Sequence, residues 1–149
     1  MVDIAVLVRE FLLVQEGVMA ALQPAVGTVN SNPNSAIYAA SDLPEGFSPI
    51  QGPGIQLVRS GGVSPYSEIP ALIQGRVMVR TWADQEQYQL ASDLYGSIHD
   101  TLHGAYNVVL DEGVMLSAIE TMEPQEMTDP ETAWVCNYAF YQIIARAAS

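Results

Sequence analysis

Lysine is absent from this chain, and its whole basic complement is five arginines, Arg9, Arg59, Arg76, Arg80 and Arg146, set against 17 carboxylates. The resulting net charge of −12 repels phosphate. It speaks against a duplex-binding surface built on backbone neutralisation and against attachment to anionic lipid. The same acidity suits a wall along which DNA passes without sticking, although an ordinary solvated surface has that composition too. Cysteine is nearly absent as well. Cys136 alone excludes an internal disulfide and a multi-thiolate metal cage, and it reads as a buried, apolar-like thiol in a strand. Long apolar runs are also missing. Ile4–Val8 and Phe11–Val14 are separated by Arg9 and Glu10, well short of the roughly 18 apolar residues of a membrane helix. The start carries no basic leader followed by a small-residue cleavage pattern, so no secretory signal is expected.

What is present is enough for one folded unit. With 49% hydrophobic residues and a mean hydropathy of +0.15, the chain is too apolar for disorder, and 149 residues suit a single domain. Ile4, Leu7, Val8, Phe11, Leu12, Val18 and Leu22 recur mostly at steps of three and four. They predict an amphipathic helix over 3–22, with Asp3 as its cap and Pro24 just past its end. Two β-prone runs, around Ile37–Tyr38 and Ile55–Arg59, predict a hairpin over 35–60. Its Pro/Gly-rich loop spans 42–54, and a loop that long in a compact domain tends to be functional or disordered. Period-two alternation predicts a strand over 71–82. Asp84 then opens a second helix over 84–103, striped by Leu90, Leu94, Ile98 and Leu102 and stopped by Gly104. Strands follow at 114–122 and 132–147, joined by an acidic connection through Glu123–Glu131. The order of parts predicts an α+β, sandwich-like fold: a mostly antiparallel or mixed sheet of about four to five strands, with both helices on one face.

Candidate catalytic residues are few. His99 and His103 stand at i and i+4 on one helix face, as in the zinc-binding H-E-x-x-H helix, but Asp100 replaces the general-base glutamate and no other histidine exists. A distant Asp or Glu could complete a ligand set, which keeps a small metal-dependent hydrolase using His99 and His103 as an alternative. Against it stands a pair of partly exposed histidines suited to a helix C-terminus. No Gly-x-Ser-x-Gly elbow occurs, and the glycines at 52, 54, 61 and 62 lack the Lys-Ser/Thr of a phosphate loop. The carboxylates Glu120, Glu123, Glu126, Asp129 and Glu131 lack the spacing of a calcium loop. The expected function is therefore non-enzymatic, with no catalytic, cofactor-binding or metal residue assigned.

The order of segments resembles the tail terminator and tail-completion (head–tail joining) proteins of long-tailed bacteriophages. The matching stretch is Leu57-Val58-Arg59-Ser60-Gly61-Gly62, then Pro65-Tyr66, the Arg-flanked strand Arg76–Ala83 and the helix Gln85–His103 with its Ala91/Leu94/Ile98 stripe. Asp129-Pro130-Glu131-Thr132 and a long aromatic C-terminal strand complete it. The resemblance implies a virion subunit that closes into a ring, typically of six. Such a ring caps the tail tube and docks on the head connector, with DNA passing through the lumen without specific binding. Its partners would be further copies of itself, the tail tube protein and a head-completion or connector protein. Its location would be the neck of the virion, and the host cytoplasm during assembly. A head-completion ring one layer higher, with twelve copies expected, is the alternative within the same class. The resemblance carries no catalytic residue. It directs attention to Arg59, Arg76, Arg80 and Trp82, and to Glu45 and Phe47 at the tip of the long loop, as contact residues. The first and last strands are expected to be sheet edges, and such edges and the aromatics favour the same use, since closed rings occupy unpaired strand borders and Trp and Tyr are enriched at protein contacts.

Overall fold

The computed structural model describes residues 3–22, 37–43, 49, 53–63 and 72–147. Within them the fold is α+β. Three helices, α1 (Ile4–Leu13), α2 (Glu16–Leu22) and α3 (Tyr88–Leu102), pack on a sheet of six strands: β1 (Ile37–Tyr38), β2 (Gly54–Val63), β3 (Leu72–Ala83), β4 (Tyr106–Val109), β5 (Gly113–Thr128) and β6 (Val135–Ala147). The spatial order is β1-β2-β3-β6-β5-β4. The strand count exceeds the expected four to five because β4 adds a short border.

The N-terminal helix forms for the reasons its spacing suggests. Asp3 accepts the Ala5 and Val6 amides at 2.9 and 3.4 Å, satisfying two donors that a helix start leaves orphaned. Ile4, Leu7, Val8, Phe11 and Leu12 are all buried. The expected helix over 3–22 is nevertheless two helices. Gln15 falls where the buried stripe would continue, and its side chain turns back to donate to the Phe11 carbonyl at 3.3 Å. The Gln15 amide donates to Leu12 at 3.1 Å while its carbonyl accepts from Met19 at 3.0 Å. A polar residue on the apolar stripe thus ends one helix and starts the next, and Val18 and Leu22 still face the core.

Three further expectations are corrected. The segments expected as a hairpin over 35–60 pair in parallel, Ile37 opposite Ile55 and Tyr38 opposite Gln56. The connection between them exceeds the dozen or so residues that a parallel crossover requires. The acidic connection is largely strand: β5 continues through Glu126 to Thr128, opposite Asn137 and Val135 of β6. Pro124 falls at a register shift between Met122 and Gln125, where no ladder N–H is missed. The chain reverses only at Asp129–Trp134, which is fixed by Asp129 accepting from the Glu131 amide and the Thr132 hydroxyl. The last strand, finally, is interior. β6 lies between β3 and β5, and β3 between β2 and β6, so neither has a free border. Among the described residues the borders are β1, the outer edge of β2 beyond Gln56, β4, and the outer edge of β5 beyond Ser117, where β4 no longer reaches.

Asp84 also acts differently from expectation. Its carboxylate makes no capping bond; its carbonyl accepts from Gln87 at 2.9 Å, holding a 3-10 turn at Gln85–Gln87 ahead of α3. The helix stops where Gly104 takes φ +84, the left-handed conformation glycine adopts without penalty. The core lies between helices and sheet: Ile4, Leu7 and Leu12 of α1 and Leu94, Ile98 and Leu102 of α3 close over Ile55, Leu57, Val77, Val79, Ala139, Tyr141 and Ile143. Each leucine or isoleucine buried there contributes roughly 1.5–3 kcal/mol.

Candidate functional site

Residues opposite one another on paired strands project from the same face. Arg76, Met78, Arg80 and Trp82 of β3 therefore share a face with Gln142, Phe140, Tyr138 and Cys136 of β6, the face that carries no helix. Arg76 is exposed and its guanidinium lies 5.6 Å from the centroid of the Phe140 ring. Arg80, half-buried, points its Nε at Met78 Sδ over 3.3 Å. Neither arginine has a carboxylate within 4.0 Å among the described residues, although the chain carries 17. Arg59 is exposed in the middle of β2, where the register with β3 shifts.

Trp82 is different. It is only 6% exposed, its indole N–H donates to Gln56 Oε1 at 3.1 Å, and its ring meets Trp134 edge-on at 6.4 Å. Gln56 is itself buried and donates to the Ala40 and Ser41 carbonyls at 3.2 and 3.0 Å. Trp82 thus pins the chain leaving β1 to the sheet, and its surface is spent on internal packing. Glu45 and Phe47 lie outside the described residues. Cys136 is buried, and that burial pushes its thiol up to about 12, so it stays protonated and unreactive at neutral pH.

A second group gathers on the helix-covered face. Tyr95, His99 and His103 follow one another along α3 at helical spacing, Glu120 comes from β5 and Tyr141 from β6. Tyr95 donates to Glu120 Oε1 in a short hydrogen bond, and His99 Nδ1 stands 3.2 Å from Glu120 Oε2. The Tyr95 and Tyr141 hydroxyls are 3.1 Å apart, and Tyr141 lies 3.3 Å from His99 Nδ1. Tyr95 has committed its one proton to the carboxylate, so Tyr141 donates to Tyr95 and is free to accept from His99. The Glu120 amide donates to His103 Nδ1 at 3.0 Å, and the two imidazoles stack with centroids 4.9 Å apart. Burial pushes the Tyr141 phenol up to about 12. Tyr95 is pushed up further, by burial first and then by its bond to Glu120. Both phenols are therefore neutral donors across the ordinary pH range.

His99, His103 and Glu120 each offer a ligand atom within 4.8 Å of the others. Sequence spacing flagged the two histidines but could not supply the carboxylate, which arrives through β5. Tyr95, four residues before His99 on the same helix face, was the available clue to a cluster there. Among the described residues Asp100, next to His99, is exposed and makes no hydrogen bond within this group. No described helix is long and apolar enough to cross a membrane.

No protein-family model matches the chain, and no curated protein does either. The fold itself recurs. A chain in the solved virion of a native gene transfer agent (GTA) particle superposes with a TM-score of 0.57 at 16% sequence identity, covering 90% of this chain and 95% of that one.

Proposed function

We propose, from that shared fold, that this chain is a structural component of a phage-like virion, acting through shape and interface chemistry rather than catalysis. Within the particle it forms the ring that terminates the tail tube and joins the tail to the head connector. The carrying observation is that the likeness spans nearly the whole of both chains, so the entire fold, not a shared motif, recurs in a virion. The segment order that resembles tail terminators points to the same layer of the particle; the alternative in this class is the head-completion ring above it. The partners are then further copies of this chain, the tube protein and the connector, with DNA passing the acidic lumen unbound. Assembly takes place in the host cytoplasm.

Two features support a contact role for the helix-free face and the sheet borders. Arg76 and Arg80 present positive charge with no carboxylate within 4.0 Å among the described residues, in a chain of net charge −12, and acidic surfaces on neighbouring subunits would complement them. Tyr106 and Val109 on the border strand β4 are 74% and 75% exposed, as a strand that pairs or packs elsewhere would be. The test is analytical ultracentrifugation and negative-stain imaging of the purified chain, alone and with tail tubes. Rings on tube ends are expected, and the double substitution Arg76→Glu, Arg80→Glu should weaken their formation at least tenfold. Wild-type monomers that ignore tubes at high concentration would end the ring reading. Rings that form equally well with both arginines reversed would end only the assignment of this face.

A further inference from the structure

We propose that His99, His103 and Glu120 form a binding site for one divalent transition-metal ion of the zinc type, a site that clamps the last turn of α3 to β5. The inference does not depend on the ring reading.

The geometry supplies most of the site in advance. His99 and His103 are one helical turn apart, the spacing at which two side chains share a face. His99 Nδ1 and Glu120 Oε2 lie 3.2 Å apart. Two ligands bonded at about 2.0–2.2 Å to one tetrahedral ion stand at nearly that separation, so one edge of the coordination polyhedron exists without rearrangement. The third ligand needs a small one. His103 Nδ1 accepts the Glu120 amide, and the ring lies parallel to that of His99. Rotating the exposed His103 imidazole about its Cβ–Cγ bond gives up that single hydrogen bond and turns a nitrogen toward the other two ligands. All three ligand atoms already fall within 4.8 Å.

The surroundings separate this group from a chance pair of surface histidines. Glu120 is oriented from behind: Tyr95, 5% exposed, holds its Oε1 and leaves Oε2 facing the imidazoles. Tyr141, fully buried, holds the Tyr95 hydroxyl in turn. Buried donors that fix a ligating carboxylate are the outer-shell arrangement that tunes metal sites. The side chains of His99 and Glu120 are 38% and 14% exposed, so an ion can enter and a water can take the remaining position. Two imidazoles and one carboxylate are a borderline-hard set suited to zinc, nickel or cobalt rather than calcium or magnesium. Asp100 projects from α3 roughly a quarter-turn away from His99 and is exposed. The role assigned to the ion is structural, joining the C-terminal turn of a helix to a strand that reaches one border of the sheet.

The experiment is isothermal titration of metal-stripped protein with zinc chloride, repeated with nickel, alongside thermal unfolding with and without zinc. One saturable ion per chain and a rise in the unfolding temperature are expected. His99→Ala and His103→Ala should each weaken binding tenfold or more. Tyr95→Phe, which removes only the outer-shell donor, should weaken it about tenfold, and Asp100→Asn should leave it unchanged. His103 is exposed at a helix end, so its variant should fold normally, as circular dichroism would verify. Absence of stoichiometric binding overturns the proposal. Affinity unaltered by His103→Ala, or by Tyr95→Phe, also overturns it, because either result reduces the site to adventitious surface histidines.

Discussion

On the helix-covered face of the sheet, Glu120 is met by Tyr95 and His99, and its backbone amide by His103; on the opposite face, Arg76 lies over the Phe140 ring and Arg80 points at the Met78 sulfur, with no carboxylate within 4.0 Å of either among the described residues. The strands serving the two faces are the same. What differs is the cover. Where α1 and α3 lie over the sheet, polar groups lose water and must find partners inside the chain, since an unsatisfied buried group costs about 1–3 kcal/mol. Where no helix lies, a charge keeps its water and needs no internal partner, so it remains available to another molecule. The covered face therefore reports on stability, and the open face is where the proposed association would act.

The sharpest way to break that comparison is to remove equal volumes from the two faces. Leu94, 1% exposed beneath α3, and the half-buried Met78 on the open face are the matched pair. Leu94→Ala should lower unfolding stability by about 2–5 kcal/mol through lost burial and the cavity left behind. Met78→Ala should cost about 1 kcal/mol or less. Urea unfolding of the two variants measures both. Equal losses would mean that the open face is as much a core as the other.

Alkaline pH sharpens the comparison from the polar side. Burial lifts Tyr141 from an ordinary 10.0 to about 12 in the folded chain, whereas an unfolded tyrosine ionises near the ordinary value. Below pH 10 both states are protonated and the full contribution is present. Above it the unfolded chain releases a proton that the folded chain retains, so stability falls as pH rises toward the folded value. For Tyr141 alone the loss approaches about 2–3 kcal/mol. The Tyr95 shift, in the same direction, adds to it. Urea midpoints across this range, read with phenolate absorbance, should show stability falling before these two phenols ionise. A midpoint flat from neutral pH to beyond the ordinary tyrosine value would mean that the cluster is open to water.

How much of this was legible in the sequence varies with how local the cause is. The α1 stripe, its Asp3 cap, the β3 alternation and the Gly104 stop depend on neighbours within one turn or one strand, and spacing reveals them. Gln15 shows where a periodic pattern is locally overruled: one glutamine on the apolar stripe splits the helix. The stretch Glu123–Glu126 is composed against strand formation, yet the ladder with Tyr138 and Asn137 extends β5 through it. Composition carries no trace of that tertiary decision. Alternation equally cannot tell parallel from antiparallel, so the pairing of Ile37 with Ile55 and the interior place of β6 were out of reach. The histidine half of the polar cluster lies on one helix and was visible; Glu120 and Tyr141 come from two other strands and were not. Trp82 carried the right chemistry for an interface, but Gln56, whose burial nothing in its neighbourhood announces, takes up its indole.

The smallest expected effect on the fold belongs to the open face itself. Arg76 is exposed, and its guanidinium lies 5.6 Å from the centre of the Phe140 ring. An exposed cation over an aromatic ring contributes about 0.5–1 kcal/mol. Arg76→Ala should therefore cost no more than that in monomer stability, and it raises the net negative charge only slightly. The same substitution removes one of the two positive groups offered to a neighbouring subunit, so assembly on tail tubes should weaken while urea unfolding scarcely moves. Loss of several kcal/mol from the monomer would give the guanidinium an internal structural task, and with it would go the reason for assigning this face to a partner.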